Sequence, residues 1–151
     1  MIELQSTQSL RVSLESIRHG EGGLDEHRAS MLRRVPDVGN WAKFPFASLS
    51  MKDLAYLTAR TGHEFAILRG KREDILFHGT ARQCKFDDAL VELLSAKKLV
   101  IYGHSHPGEE VPVPSPQDRR ALRNLGQPQS RLISGMSGRE ITFSQDEFEI
   151  T

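Results

Sequence analysis

The 151-residue sequence predicts an α/β domain built on a mixed sheet. Three features point there. Helical and extended segments alternate from residue 50 onward. One extended segment, Leu99-Val100-Ile101-Tyr102, is apolar at every position, as a central strand must be. Arg131 to Ile133 and Glu140 to Phe143, joined through Met136-Ser137-Gly138, read as a closing hairpin.

The elements follow in order. Leu10, Val12 and Leu14 alternate with Arg11, Ser13 and Glu15, which predicts a strand over residues 10–17, broken by Gly20, Gly22 and Gly23. Asp25 to Val35 reads as a short helix stopped by Pro36. The composition shifts over Pro36 to Pro45. Residues 1–49 are therefore set apart as an N-terminal extension, with residues 50–151 as the core. Ser50 is a good N-cap with Asp53 three residues on, so a helix runs from Met51 to about Arg60 and ends at Gly62. Glu64 to Leu68 is a strand, Arg69 to Asp74 a polar turn and Ile75 to Phe77 the returning strand. Asp87 to Lys97 is a helix with Phe86, Leu90, Leu93 and Leu94 on one side and the Lys97 stem at its edge. A Pro-rich loop follows His106, and then a helix from Pro116 to Leu125.

Lys plus Arg and Asp plus Glu number 20 each. The zero net charge lacks the basic excess of a broad nucleic-acid binder, though a local patch stays open. Cys84 is the single cysteine, so no intramolecular disulfide forms and a reducing, cytoplasmic setting is expected. A zinc site built from cysteines is excluded as well. Cys84 itself reads as a small, partly buried apolar residue. No apolar run reaches the ~20 residues of a membrane span. Met1 to Gln5 lacks the basic stretch and apolar core of a secretory signal. Export by machinery that reads no such signal stays open.

The chemistry concentrates at Gly103-His104-Ser105-His106-Pro107. In extended backbone, residues i and i+2 share a face, so both imidazoles converge on one point. Gly103 lets the chain turn without a clashing Cβ. A third ligand must come from elsewhere and leave a position open for water. Ser115-Pro116-Gln117-Asp118 opens a helix, with Ser115 as N-cap and Asp118 at the third helical position, where a carboxylate is favoured. Taken singly, Ser-Pro-x-Asp reads more readily as helix capping, and His-x-His in a strand as incidental. Their conjunction is the informative feature.

That conjunction closely resembles the JAMM metallopeptidase motif, His-x-His-Pro, a short loop and Ser-x-x-Asp, with a catalytic Glu upstream on a strand after the first helix. Glu64 occupies that place here. The resemblance covers roughly residues 50 to 143 and implies the MPN fold, with a zinc site at a strand end. It implies His104, His106 and Asp118 as zinc ligands, Glu64 as general base and Ser115 as a stabiliser of the oxyanion. It also implies hydrolysis of an amide or isopeptide bond in a protein or peptide substrate, such as one carrying a ubiquitin-like tail. Two departures stand out. Eight residues rather than seven separate His106 from Ser115, and Ala66 and Ile67 stand where the family often has Gly after the Glu. In the second respect, and in Pro114-Ser115-Pro116-Gln117-Asp118, the chain resembles the bacterial RadC-like branch more nearly than the eukaryotic deubiquitinases. It is also similar to the JAMM modules of secreted polymorphic toxins, which would make it an effector acting in another cell. The competing readings are a non-catalytic MPN scaffold, a RadC-like protein of nucleic-acid context, and a zinc deaminase. The last lacks its Pro-Cys-x-x-Cys motif here.

Other residues read more plainly. His63 is expected to point away from Glu64, and His78 to be a surface or satisfied core histidine. His19 and His27 carry no pattern. Glu109 and Glu110 are expected to be solvated loop carboxylates. Trp41, Phe44 and Phe46 are expected to pack, and Lys71 to Asp74 to form a solvated turn.

Overall fold

The computed structural model describes residues 7–146. Met1 to Gln5, read above for a signal, lie outside them, as do residues 147–151 of the assigned core. The described residues form α1 (Thr7–Arg18), α2 (Glu26–Arg34), β1 (Trp41–Pro45), α3 (Met51–Thr61), β2 (Phe65–Arg69), β3 (Glu73–His78), α4 (Asp88–Ser95), β4 (Val100–His106), α5 (Pro116–Leu125), β5 (Gln129–Ser134) and β6 (Glu140–Ser144). This is an α/β fold with a mixed six-stranded sheet flanked by helices. The sheet order is β1-β3-β2-β4-β5-β6. Every neighbouring pair is antiparallel except β4 and β5, which α5 joins as a crossover.

Alternation along the strands splits the core between the two sheet faces. Phe65 and Ile67 of β2 face α3 and pack with Leu54, Leu57 and Met51. Ala66 and Leu68 face the other way, against Leu90 and Leu94 of α4. Leu122 of α5 covers Leu132 and Phe143 on that second face. The helix ends follow local chemistry. Ser50 and Ser115 both close full capping boxes, with Asp53 and Asp118. α3 and α5 stop at Gly62 and Gly126, each in the left-handed conformation.

The N-terminal segment differs from its sequence reading. Residues 10–17 form a helix, not a strand. Leu10, Leu14 and Ile17, spaced four and three apart, are buried, while Val12 is 59% exposed. The run Leu10, Val12, Leu14 fits both periods, and the packing of α1 on α3 selects the helical one. Residues set apart as an extension thus share the core: Leu10, Leu14, Met31, Val35 and Leu49 sit in one cluster with α3 and β2. β1, inside the segment read only as a composition shift, pairs with β3 at the sheet edge.

Three smaller readings also change. α4 ends at Ser95 rather than at Lys97, which adopts a positive φ of 61°. The Lys98 N–H bonds Leu93 O and the Lys97 N–H bonds Leu94 O, so a lysine fills the place usually held by glycine in a Schellman cap. Asp74, expected in a solvated turn, is fully buried, where it accepts from Arg69 and the Leu49 N–H. Trp41 packs on the α4-side cluster and donates to Asp87, while Phe46 is 54% exposed. Among the described residues no helix is long and apolar enough to cross a membrane.

Candidate metal centre

The sheet register builds the site. β2 and β4 run antiparallel with Ala66 opposite His104. Two residues further along, that register sets Glu64 beside His106. Glu64, Ala66, His104 and His106 thus project from one sheet face, and Ser105, between the histidines, points to the other. There its Oγ meets Thr58 Oγ1 at 2.6 Å and accepts from the Phe65 N–H at 2.9 Å. These bonds pin the strand end that carries both imidazoles. Close packing fixes it from behind as well. A Cβ on Gly103 would stand 2.4 Å from Met51 Sδ and 3.1 Å from Arg131 Cβ.

Ligand atoms of Glu64, His104 and His106 lie within 4.8 Å of one another, all three residues buried, so this group is able to hold a metal ion. Glu64 Oε2 is 3.9 Å from His106 Nε2. α5 delivers the fourth residue. Asp118 Oδ2 lies 3.2 Å from His104 Nε2 and 3.3 Å from His106 Nε2. The capping box holds it there, since the Ser115 N–H donates to the same Oδ2 at 2.9 Å and Ser115 Oγ accepts from the Asp118 N–H at 3.0 Å. Despite Asp118's proximity, His104 Nε2 is buried with no hydrogen-bond partner. A buried imidazole nitrogen without a hydrogen bond is able to serve as a metal ligand.

The electrostatics separate the two carboxyls. Burial pushes Glu64 up to about 7, against the pull of His106 and with the help of Asp118 and Glu109. Burial also opposes ionisation of Asp118. There the imidazoles of His104 and His106 and the Ser115 N–H win, and the carboxyl is held well below the usual range. His106 is desolvated too, but Asp118, Glu64 and Glu109 around it raise its pKa.

A cleft of about 120 Å³ opens beside these groups. Glu64, His104, Ser115 and Asp118 line it, opposite an apolar wall that includes Phe86, Ile101, Leu122 and Phe143. The five candidate residues Glu64, His104, His106, Ser115 and Asp118 are therefore brought together. Cys84, half-buried, also lines the cleft, where burial raises its thiol pKa well above the ordinary value. His63 turns away from the cleft, and its Nδ1 lies 2.8 Å from Nε2 of the buried His78. His78 Nδ1 donates to Val35 O, so His78 is a satisfied core histidine.

Glu110 is exposed, as expected, and pairs with Arg11 of α1. Glu109 is only partly exposed, and its Oε1 lies 3.0 Å from His106 Nδ1, a contact the sequence reading did not give. Spacing offers a signal for Glu109 in hindsight, since it stands three residues past the second histidine. The Arg11 contact joins residues 99 apart and leaves no local trace. Comparison with family models, with curated proteins and with solved structures returns no match.

Proposed function

We propose that this chain is a zinc hydrolase of the JAMM type on an MPN fold, cleaving an amide or isopeptide bond. The observation that carries this reading is the convergence of two imidazoles with two carboxyls of opposite character, His104 Nε2 being buried without a hydrogen bond. His104, His106 and Asp118 would hold the ion: Asp118 stays ionised and its oxygen already touches both Nε2 atoms. Nitrogen and oxygen donors of this kind suit zinc. Zinc held there supplies a water of lowered pKa and a Lewis acid for the scissile carbonyl.

The remaining chemistry belongs to the protein. Glu64, with its carboxyl near 7, is suited to take a proton from the attacking water and return it to the leaving amine. Ser115 Oγ already accepts from the Asp118 N–H, so its own proton is directed to the developing oxyanion. The apolar wall of Phe86, Ile101 and Leu122 limits water in the cleft and strengthens both interactions.

The test incubates zinc-loaded protein with ubiquitin-like conjugates and linear peptides, beside a Glu64→Gln control. Cleavage by the wild type alone, with zinc retained in both proteins, supports the reading. Full turnover by Glu64→Gln overturns the role of Glu64. A folded wild type that takes up no zinc overturns the enzyme and favours a non-catalytic scaffold.

A further inference from the structure

Every neutral imidazole must place its proton on one nitrogen, and only the other can bind a metal. His106 has two different surroundings. Its Nε2 faces Asp118 and Glu64, whereas its Nδ1 faces Glu109 Oε1 at 3.0 Å. Carboxylates face both nitrogens, but an Nε2 given to a metal carries no proton, so the metal-binding form keeps its proton on Nδ1, where Glu109 accepts it.

Glu109 is itself held firmly for a loop residue. Its second oxygen accepts from the Val113 N–H at 2.7 Å, so one carboxylate bridges the imidazole and the far side of the loop. Its backbone carbonyl accepts from Ser134 Oγ at the end of β5, and the Glu110 carbonyl accepts from Ser137 Oγ. Both serines sit at the β5–β6 turn, and both are buried. The loop is thus tied to the sheet at two successive peptides, with the Glu109 side chain turned inward.

We propose that Glu109 is a positioning residue that holds the His106 ring through Nδ1 and supports its metal-binding form, with Nε2 aimed at the point shared with His104 and Asp118. The inference rests on the metal-centre reading above. Glu109 does not line the cleft and acts through His106. Removing such a carboxylate partner weakens metal affinity by roughly 10- to 100-fold in other sites.

The experiment compares wild type, Glu109→Gln, Glu109→Ala and Glu110→Gln. Glu110→Gln breaks the Arg11 pair in the same loop but touches no imidazole. Proton–nitrogen NMR on the zinc-loaded proteins reads the His106 Nδ1–H, and competition with a chromophoric chelator reads zinc affinity. We expect a downfield, slowly exchanging Nδ1–H in wild type and Glu110→Gln, with equal affinity. In Glu109→Gln one amide oxygen must serve both the imidazole and the Val113 N–H, so a weakened Nδ1–H hydrogen bond and a roughly 10-fold or greater loss of affinity are expected. Glu109→Ala should lose at least as much. An unchanged Nδ1–H signal and affinity in both Glu109 variants overturns the assignment while leaving the hydrolase reading intact. So does an equal loss in Glu110→Gln, which would mean that loop order alone matters. A wild type that binds no zinc instead overturns the metal centre itself.

Discussion

Glu64 carries a cost that a single substitution exposes. Its carboxyl is raised from 4.5 to about 7, chiefly by burial. A folded-state pKa above the unfolded value favours the protonated form in the fold. That contribution is fully present below pH 4.5 and is lost as pH rises through 7. Above 7 the folded protein must hold a buried anion. Each pH unit between the two values is worth about 1.4 kcal/mol, so the metal-free protein carries a penalty of about 3 kcal/mol at alkaline pH. Glu64→Gln keeps the shape of the protonated acid and removes the titration. In the metal-free protein, the variant and wild type should be equally stable at pH 4. The variant should gain progressively to about 3 kcal/mol by pH 8, which for a domain of this size is roughly 6 to 12 °C in melting temperature. Urea unfolding in the presence of a chelator, repeated across that range, measures the difference directly. A pH-independent difference, or a variant less stable at pH 8, would show that Glu64 is not a desolvated acid. Adding zinc should shrink the gain, because a cation beside the carboxylate compensates the buried charge. The gain is a stability–activity trade of the kind expected where a site must keep a base in a dry pocket.

Four further outcomes follow from the same geometry. His104→Ala and Asp118→Ala should each lose stoichiometric zinc, read by metal analysis after dialysis, while Glu64→Gln keeps it. Ser115→Ala should cost about 1 kcal/mol through the α5 cap and lower kcat by 10²–10³, whereas Ser115→Asn should recover the cap without the rate, as unfolding and kinetic measurements will show. Gly79→Ala sets a Cβ 2.5 Å from Gln83 O and 3.0 Å from Glu64 O, so it should destabilise by about 1–3 kcal/mol and depress kcat by moving Glu64, both checked on the purified variant. Leu14→Ala, fully buried on α1, should cost about 2–5 kcal/mol in one cooperative denaturation transition. A separate early transition would mean that residues 7–49 fold apart from the rest.

What was legible in the sequence was what local physics decides. α5 is a clear case: Ser115, Pro116 and Asp118 specify its start, and no tertiary contact is needed to find them. The apolar run before His104 marked a central strand, and a two-residue spacing put both imidazoles on one face. The closeness of Glu64 to His106 is another matter. It follows from the β2–β4 register, which a single chain does not print, and only the resemblance supplied it.

The misses share a cause. Leu10, Val12 and Leu14 satisfy a period of two, yet Leu10, Leu14 and Ile17 satisfy 3.6 equally well. The choice belongs to α3, which offers a helical groove and no strand edge. A Cβ on Gly138 would stand 2.4 Å from Leu10 Cδ2, so α1 also seats against the β5–β6 turn. Arg18 donates there to the carbonyls of Gly135 and Met136. That same turn, through Ser134 and Ser137, holds the loop bearing Glu109 and Glu110. Arg11 closes the circuit by pairing with Glu110. The segment least readable from sequence is therefore mechanically continuous with the support of His106. Composition could not reveal this, because every link from α1 to the loop bearing Glu109 joins residues more than twenty positions apart.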